Sequence, residues 1–260
     1  MLAMGFARTA LEQFSRNRSF TRRLPAEFGR APIVVSPDAS LAYWKPGLRS
    51  NLFDFAREFV EPGSVVWDVG ANVGLLSIAA AQQSGASGQV IAIEADVFLV
   101  GLLRRSATLQ AKTAAPIQVI PAAAYNSLGI VSFHVAERGR ATNFLDGLSG
   151  STQTGGVRET VSVVSLTLDW LLERSRAPDV LKIDVEGAEV GVLRGAERLL
   201  ATARPVLLLE ANADSRAEVT AILLRHGYRF YDWDAPAGPQ RVEVESTCFN
   251  TLAIPDRSTK

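Results

Sequence analysis

Val65-Val66-Trp67-Asp68-Val69-Gly70-Ala71-Asn72-Val73-Gly74 sets the architecture of this chain. Val65–Val69 is a short apolar strand, Gly70–Gly74 a tight turn, and residues 74–84 read as a helix. In open α/β sheets a ligand sits beyond the carboxyl ends of the strands, and glycines in the first turn let backbone approach it. The spacing is not that of a dinucleotide fingerprint, Gly-x-Gly-x-x-Gly: position 72 is Asn and the two glycines stand four apart. Without the glycine arrangement that cradles a pyrophosphate, and with Asp68 at the strand end, the turn suits a cationic group better than a phosphate. A zwitterionic amino-acid ligand bearing a sulfonium fits that chemistry.

Outward from this segment, strands and helices alternate. Val90–Glu94 is a second strand, 96–110 a helix with Val97, Val100, Leu103, Ala107 and Leu109 apolar, and Ile117–Ile120 a third strand. The alternation resumes with strand Val180–Val185, helix 188–201, strand Pro205–Glu210 and helix 214–226. Such alternation implies right-handed crossovers and a parallel sheet, and strands apolar on both sides imply that both faces are covered. Tyr228–Trp233 and Phe249–Pro255 are two strands with no helix between them, so they are expected to pair antiparallel. Ile130–Ala136 and Val161–Val164 flank a polar stretch, 137–160, containing Gly139, Gly147, Gly150, Gly155 and Gly156. A connection of that length is expected to be a lid or binding loop. Thr167 caps a helix over 168–175.

Ahead of the first strand, residues 50–60 place Leu52, Phe55, Ala56 and Phe59 on one helical face, between the capping pair Ser50-Asn51 and the breaker Pro62-Gly63. Residues 1–48 read as an irregular N-terminal leader with short strand-like pieces such as Ile33-Val34-Val35, and 49–260 as the main domain. Phe6, Ala10, Leu11 and Phe14 can form one apolar stripe beside Arg8, Arg16, Arg18, Arg22 and Arg23, so contact with a membrane surface through residues 1–23 is the minor alternative to a packed leading helix.

Lys plus Arg and Asp plus Glu are 27 each among 260 residues. That neutrality lacks the electrostatic footprint of a nucleic-acid binder, so no nucleic-acid partner is expected. The lone Cys248 cannot form an intrachain disulfide, which fits a cytoplasmic setting and a structural strand thiol. No apolar run reaches the ~18 residues of a membrane span.

Glu94 ends the second strand 20 residues past Gly74, where a carboxylate accepts hydrogen bonds from both ribose hydroxyls. With the turn before it, Asp-Val-Gly-Ala-Asn-Val-Gly followed by Ile-Glu-Ala resembles the class I S-adenosylmethionine-dependent methyltransferases. Leu181-Lys182-Ile183-Asp184-Val185-Glu186-Gly187-Ala188-Glu189, with Val192-Leu193-Arg194-Gly195-Ala196 after it, Thr167-Leu168-Asp169 ahead and Leu207-Leu208-Leu209-Glu210 following, is similar to the FkbM family within that class. The resemblance spans about residues 52–255 and leaves 1–48 unmatched. It implies a Rossmann-like α/β fold with a mostly parallel seven-stranded sheet and an antiparallel C-terminal strand. It further implies S-adenosyl-L-methionine as cofactor and S-adenosyl-L-homocysteine as its product. Asp68, Gly70, Asn72 and Gly74, with Ala71 in the same turn, would surround the methionine part. Glu94 would hold the ribose, Ala122 and Ala123 would lie near adenine, and Ala95 and Asp184 would reach the cofactor as well.

Lys182, Asp184 and Glu186 alternate on one face of their expected strand, and Glu210 ends the neighbouring one. A pure core would not tolerate such charges, so they pair with one another as a structural network or serve a site at the sheet edge. If the acceptor is an alcohol, a carboxylate in a dry pocket can take its proton, with Asp184 the first candidate and Glu186 the second. A hard cation such as Mg²⁺ held by these acids is the less favoured alternative, because no tight ligand spacing demands it. His134 is a weaker candidate base, His226 a helix C-terminal residue, and Asn143 a loop residue able to hydrogen-bond an acceptor. Tyr43 and Trp44 either pack the leader onto the sheet or line a carbohydrate-sized cleft. The acceptor class implied by the resemblance is a hydroxyl on a sugar, a glycan or a polyketide-like secondary metabolite. A noncatalytic protein that keeps the cofactor pocket is one alternative. An NAD-dependent oxidoreductase is another, disfavoured by the missing third glycine and the paired C-terminal strands.

Overall fold

The computed structural model describes residues 13–45, 47–147, 155–235 and 241–256. Phe6, Ala10 and Leu11 of the expected leading stripe, and the middle of the expected lid, lie outside them.

The chain opens with strands β1 (Phe20–Arg23) and β2 (Pro32–Val35), an antiparallel pair, and helix α1 (Asn51–Phe59). Ser50 caps α1 by accepting from Leu52 N at 3.2 Å. Strand β3 (Val65–Val69), helix α2 (Leu75–Ser84), β4 (Gln89–Glu94), α3 (Val97–Thr108) and β5 (Ile117–Pro121) follow as the sequence pattern predicts. Asp96 caps α3 through Phe98 N at 2.8 Å. Then come β6 (Ala123–Ala124), β7 (Gly129–Ala136), β8 (Phe144–Leu145), β9 (Val157–Leu166) and α4 (Leu168–Leu172). The last stretch is β10 (Val180–Ile183), α5 (Glu189–Arg194), α6 (Glu197–Thr202), β11 (Val206–Glu210), α7 (Arg216–Arg225), β12 (Tyr228–Asp232), β13 (Glu243–Val244) and β14 (Asn250–Pro255).

The main sheet has the order β13-β12-β14-β11-β10-β3-β4-β5. Its seven long strands are parallel except β14, which runs antiparallel to both β11 and β12, as the unconnected terminal strands predicted. The two-residue β13 adds an eighth strand at that edge. Strand order reverses between β3 and β10, so the carboxyl ends of these two neighbours form the crevice where doubly wound sheets bind ligands.

Alternation along each strand divides the core. Val66, Val90, Val180, Leu208 and Leu252 point to the face covered by α1, α2 and α3. Trp67, Ile91, Leu181, Leu207 and Ala253 point to the other, covered by α4 to α7. The leader belongs to the first face: Phe28, Ile33 and Val35 are fully buried there, and Val34 N donates to Ser106 Oγ of α3 at 2.8 Å. Tyr43 is buried with them, while Trp44 stacks with Phe14 and Phe20 on the leader and lines none of the cavity described below.

Three expectations shift. The helix expected over 188–201 is two helices that meet at Gly195-Ala196, where a Cβ on Gly195 would stand 2.3 Å from the Tyr125 carbonyl oxygen; Asp169 accepts from Arg198 N and Leu199 N to start α6. The polar stretch 137–160 is partly sheet: β9 begins at Val157 and pairs with β7 across a bulge at Val135/Ala136, and β8 lies within the stretch. Glu159 and Thr160 are exposed residues of that ladder rather than of a loop. Finally, the strand carrying Lys182 ends at Ile183, so Asp184 and Glu186 sit in the turn beyond it, Glu186 at a left-handed φ of 49°.

Candidate functional site

Beyond the carboxyl ends of β3, β4 and β10 lies a cavity open to solvent on one side, at the place where open α/β sheets bind ligands. Gly70 and Asn72 from the first turn, Glu94 and Ala95 after β4, Ala122 and Ala123 after β5, and Asp184 and Glu186 after β10 all face it. The sheet β6–β9 closes the remaining side with Phe133, Arg140, Asn143 and Leu145.

The first turn is held by backbone. Gly70 N and Ala71 N both donate to the Ile93 carbonyl oxygen, at 2.9 and 3.0 Å. Asn72 adopts φ 52° and its Oδ1 accepts from Val73 N at 2.7 Å. Glu94 reaches across from the next strand, accepting from Asn72 N at 2.7 Å and from Asp96 N at 2.8 Å. Burial pushes its carboxyl up to about 7, against the lowering effect of those two N–H groups.

Three of the residues expected at the methionine end sit behind the turn instead. Asp68 is 1% exposed and absent from the cavity wall. Its Oδ2 accepts from Ser77 N and Ser77 Oγ, at 3.1 and 2.6 Å, and its Oδ1 faces Lys182 Nζ at 3.5 Å. Its charge therefore serves the start of α2 and the buried lysine. Gly74 is required by packing: at φ 90° its Cβ would stand 2.2 Å from Leu103 Cδ1 on α3. Ala71 is buried against Leu103 and Ala92.

Lys182, 4% exposed on β10, ties the two loops together. Its Nζ donates to the Gly70 carbonyl oxygen at 2.6 Å and pairs with Asp184 Oδ2 at 3.2 Å. Asp184, Glu186 and Glu210 bring carboxylate oxygens within 4.8 Å of one another, a spacing a divalent cation can bridge, although Lys182 already supplies positive charge there. Burial, with Asp184, Glu210 and Glu189 nearby, pushes Glu186 up to about 8. Burial and Asp184 push Glu210 up to about 7. Glu210 does not face the main cavity; it lines an adjoining one with Asn51, Asn250 and Asp184, so Asp184 stands in the wall between the two.

His134 points away: its ring nitrogens meet Thr160 Oγ1 at 2.8 Å and Asp146 Oδ1 at 3.0 Å, on the far side of β7 from Phe133. His226 closes α7 and meets Glu197 Oε2 at 2.8 Å. The Cys248 thiol donates to the Asn250 carbonyl oxygen just before β14.

Sequence reasoning missed a buried cluster that joins Glu94 through Asp96. Arg140 Nη1 donates to Asp96 Oδ2 at 2.7 Å and its Nε to Asp38 Oδ2 at 3.0 Å. Arg158 Nη2 holds the other oxygen of Asp38 at 2.9 Å. Burial raises the Asp38 carboxyl, but Arg158 and Arg140 more than offset it and hold it below the ordinary carboxylate value. Asn143 bridges Asp96 Oδ2 and Ala136 N, both at 2.8 Å, and so positions rather than waits for an acceptor. Asp96 carried a signal, being a helix cap two residues past Glu94. Arg140 carried none, since its partners lie on segments remote in sequence.

The sequence profile of the methyltransferase FkbM domain matches residues 68–230. No curated protein matches the chain in sequence. Among solved structures, similarity extends to a precorrin-6y C5,15-methyltransferase from Geobacter metallireducens GS-15, at 16% identity and TM-score 0.43, over 77% of this chain and 83% of that one. A methyltransferase FkbM from Methylobacillus flagellatus KT matches at 16% identity and TM-score 0.43, over 77% of this chain and half (50%) of its own. The magnesium protoporphyrin IX methyltransferase from Synechocystis PCC 6803, solved with bound SAM, matches at 17% identity and TM-score 0.40, over 84% and 78% of the two chains.

Proposed function

Because this chain belongs to the FkbM family of S-adenosylmethionine-dependent methyltransferases, we propose that it methylates a hydroxyl oxygen of a sugar, a glycan or a polyketide-like secondary metabolite. The observation that carries this reading is a single cavity with Glu94 on one wall and the carboxyls of Asp184 and Glu186 on another.

The cofactor would lie along that cavity. Glu94 accepts the ribose hydroxyl protons, Ala95, Ala122 and Ala123 flank the adenine, and the Gly70–Asn72 turn meets the methionine part. Methyl transfer from a sulfonium is an in-line displacement, so the main task of the chain is to align the two reactants. The acceptor oxygen attacks the methyl carbon, the carbon–sulfur bond breaks with its electron pair left on sulfur, and the hydroxyl proton must leave. Glu186, pushed up to about 8, has the proton affinity that a base near neutral pH needs. Asp184 holds Lys182 at 3.2 Å, which suits it to fixing the geometry of both loops; Lys182 acts as its positioning partner. Glu210 borders the adjoining cavity, where it and Asn250 can bind acceptor hydroxyls. Among the described residues no helix is long and apolar enough to cross a membrane.

The test is a screen with labelled methyl donor against sugars and polyketides, followed by Glu186→Gln. The reading predicts O-methyl product, a fall in turnover of about 10²- to 10⁴-fold, and unchanged affinity for S-adenosyl-L-homocysteine. Wild-type turnover in the variant would remove Glu186 as base. A binding pocket with no transfer to any acceptor would favour a noncatalytic protein.

A further inference from the structure

We propose that Arg140, delivered by the turn after β7, recognises the adenosine moiety by donating to its neutral acceptor atoms, the purine ring nitrogens or ribose oxygens. This rests on the reading of the cavity as the adenosyl site and assigns it a residue from outside the motifs that define that site.

Arg140 is the cationic side chain in the cavity wall among the described residues. It stands two links from the ribose carboxylate: Asp96 N donates to Glu94 Oε1 at 2.8 Å, and Asp96 Oδ2 accepts from Arg140 Nη1 at 2.7 Å. The guanidinium is fixed from three directions, by Asp96, by Asp38 at 3.0 Å, and by the Phe98 ring 4.7 Å beneath it. Only Nε and one Nη1 proton are spent on these carboxylates, of the five N–H groups a guanidinium carries. The side chain is 9% exposed, so its remaining donors have little but the cavity to face. A ligand acceptor entering the cavity can take a hydrogen bond from one of these donors in place of water.

The apolar part of the lining explains the need. Ala95, Leu99, Ala122 and Ala123 offer shape but no side-chain hydrogen bond to a purine. Polar recognition at this end must come from backbone or from the β6–β9 sheet. The charge balance narrows the ligand atom. Asp96 and Asp38 already neutralise Arg140, and Arg158 is shared with Asp38. A guanidinium so paired keeps directional N–H groups but little surplus charge, which suits a ring nitrogen or hydroxyl oxygen rather than a 2′-phosphate.

Calorimetry with S-adenosyl-L-homocysteine and with its 1-deaza, 3-deaza, 7-deaza, 2′-deoxy and 3′-deoxy forms tests this on wild type, Arg140→Ala and Arg140→Lys. Thermal unfolding of each variant checks the fold, and the lysine variant keeps a cation for Asp96 should the alanine variant not fold. The expected result is a loss of about 10- to 100-fold for the parent compound in Arg140→Ala, the scale of one charge-assisted hydrogen bond. One analogue should lose a similar factor on wild type and no further factor on the variants; which analogue it is separates purine from ribose. Equal affinities for wild type and variants, or a loss the same for every analogue, would overturn the role of Arg140 while leaving the adenosyl site intact. No binding of the parent compound to wild type would overturn both.

Discussion

The Asp184 carbonyl oxygen lies 1.8 Å from the point where a Cβ on Gly70 would stand. The turn after β3 and the turn after β10 touch through backbone at the switch point of the sheet, so the two halves of the site share one geometry. Gly70 also holds φ 72°, a region side chains other than glycine enter at a cost. Gly70→Ala is therefore expected to destabilise the fold by about 2–4 kcal/mol and to abolish measurable S-adenosyl-L-homocysteine binding. Urea unfolding and calorimetry read the two effects. Wild-type values for both would show that the turns do not touch in solution.

Lys182 couples the same turns electrostatically. Removing it leaves Asp68, 1% exposed, without its countercharge. Lys182→Met should cost about 3–5 kcal/mol, and the double variant Asp68→Asn/Lys182→Met should recover part of that loss, because the orphaned charge is gone. A double variant no more stable than the single one would contradict the pairing.

The acidic rim sets a pH dependence. Glu186 is pushed up to about 8 and Glu210 and Glu94 to about 7, from an ordinary value of 4.5. A carboxyl with a raised value holds its proton more tightly in the folded chain than in the unfolded one. Its stabilising contribution is complete below the unfolded value and is lost as pH climbs through the folded one. The urea midpoint of the ligand-free protein should thus fall between about pH 5 and pH 8, and Glu186→Gln should flatten the fall. A midpoint that rises across this window would contradict the burial of these acids.

The leader is expected to be part of the folding unit. Ile33 is fully buried against the first face of the sheet, so Ile33→Ala should cost about 2–5 kcal/mol. A change within experimental error would mark residues 20–48 as a detachable appendage.

The strand–helix alternation carried most of this architecture in the sequence. The unbroken burial from Val65 to Val69, covered on both faces, and the antiparallel return of Asn250–Pro255 follow from patterns within a few residues. Gly70, Glu94, Asp184 and Glu186 were legible as cavity-lining positions for the same reason, since each sits at or just past the end of a recognisable strand. The close approach at Gly195 was not, because it is to Tyr125, 70 positions earlier by number. Nor was the Arg140 cluster: Asp38 and Arg140 are separated by 102 positions, and no local pattern links them. Asp68 and Gly74 show the converse. Their motif was plain, but the structure turns one toward Ser77 and Lys182 and the other toward Leu103. Position in a motif does not tell which side of a turn a residue serves.

Glu94 ties the account to a ligand. Glu94→Gln turns an amide N–H₂ toward either Asn72 N or Asp96 N, which each now donate to one carboxylate oxygen, and leaves one accepting oxygen in place of two, so affinity for S-adenosyl-L-homocysteine should drop by about 10- to 100-fold. Calorimetric titration reads it directly, and an unchanged affinity would move the ribose elsewhere.

Most direct of all is titration of the purified wild-type chain with S-adenosyl-L-homocysteine. A cavity built to hold an adenosyl donor predicts saturable binding of one ligand per chain. An absence of binding at any ligand concentration reached would contradict the donor site itself, and with it every role assigned to the residues around it.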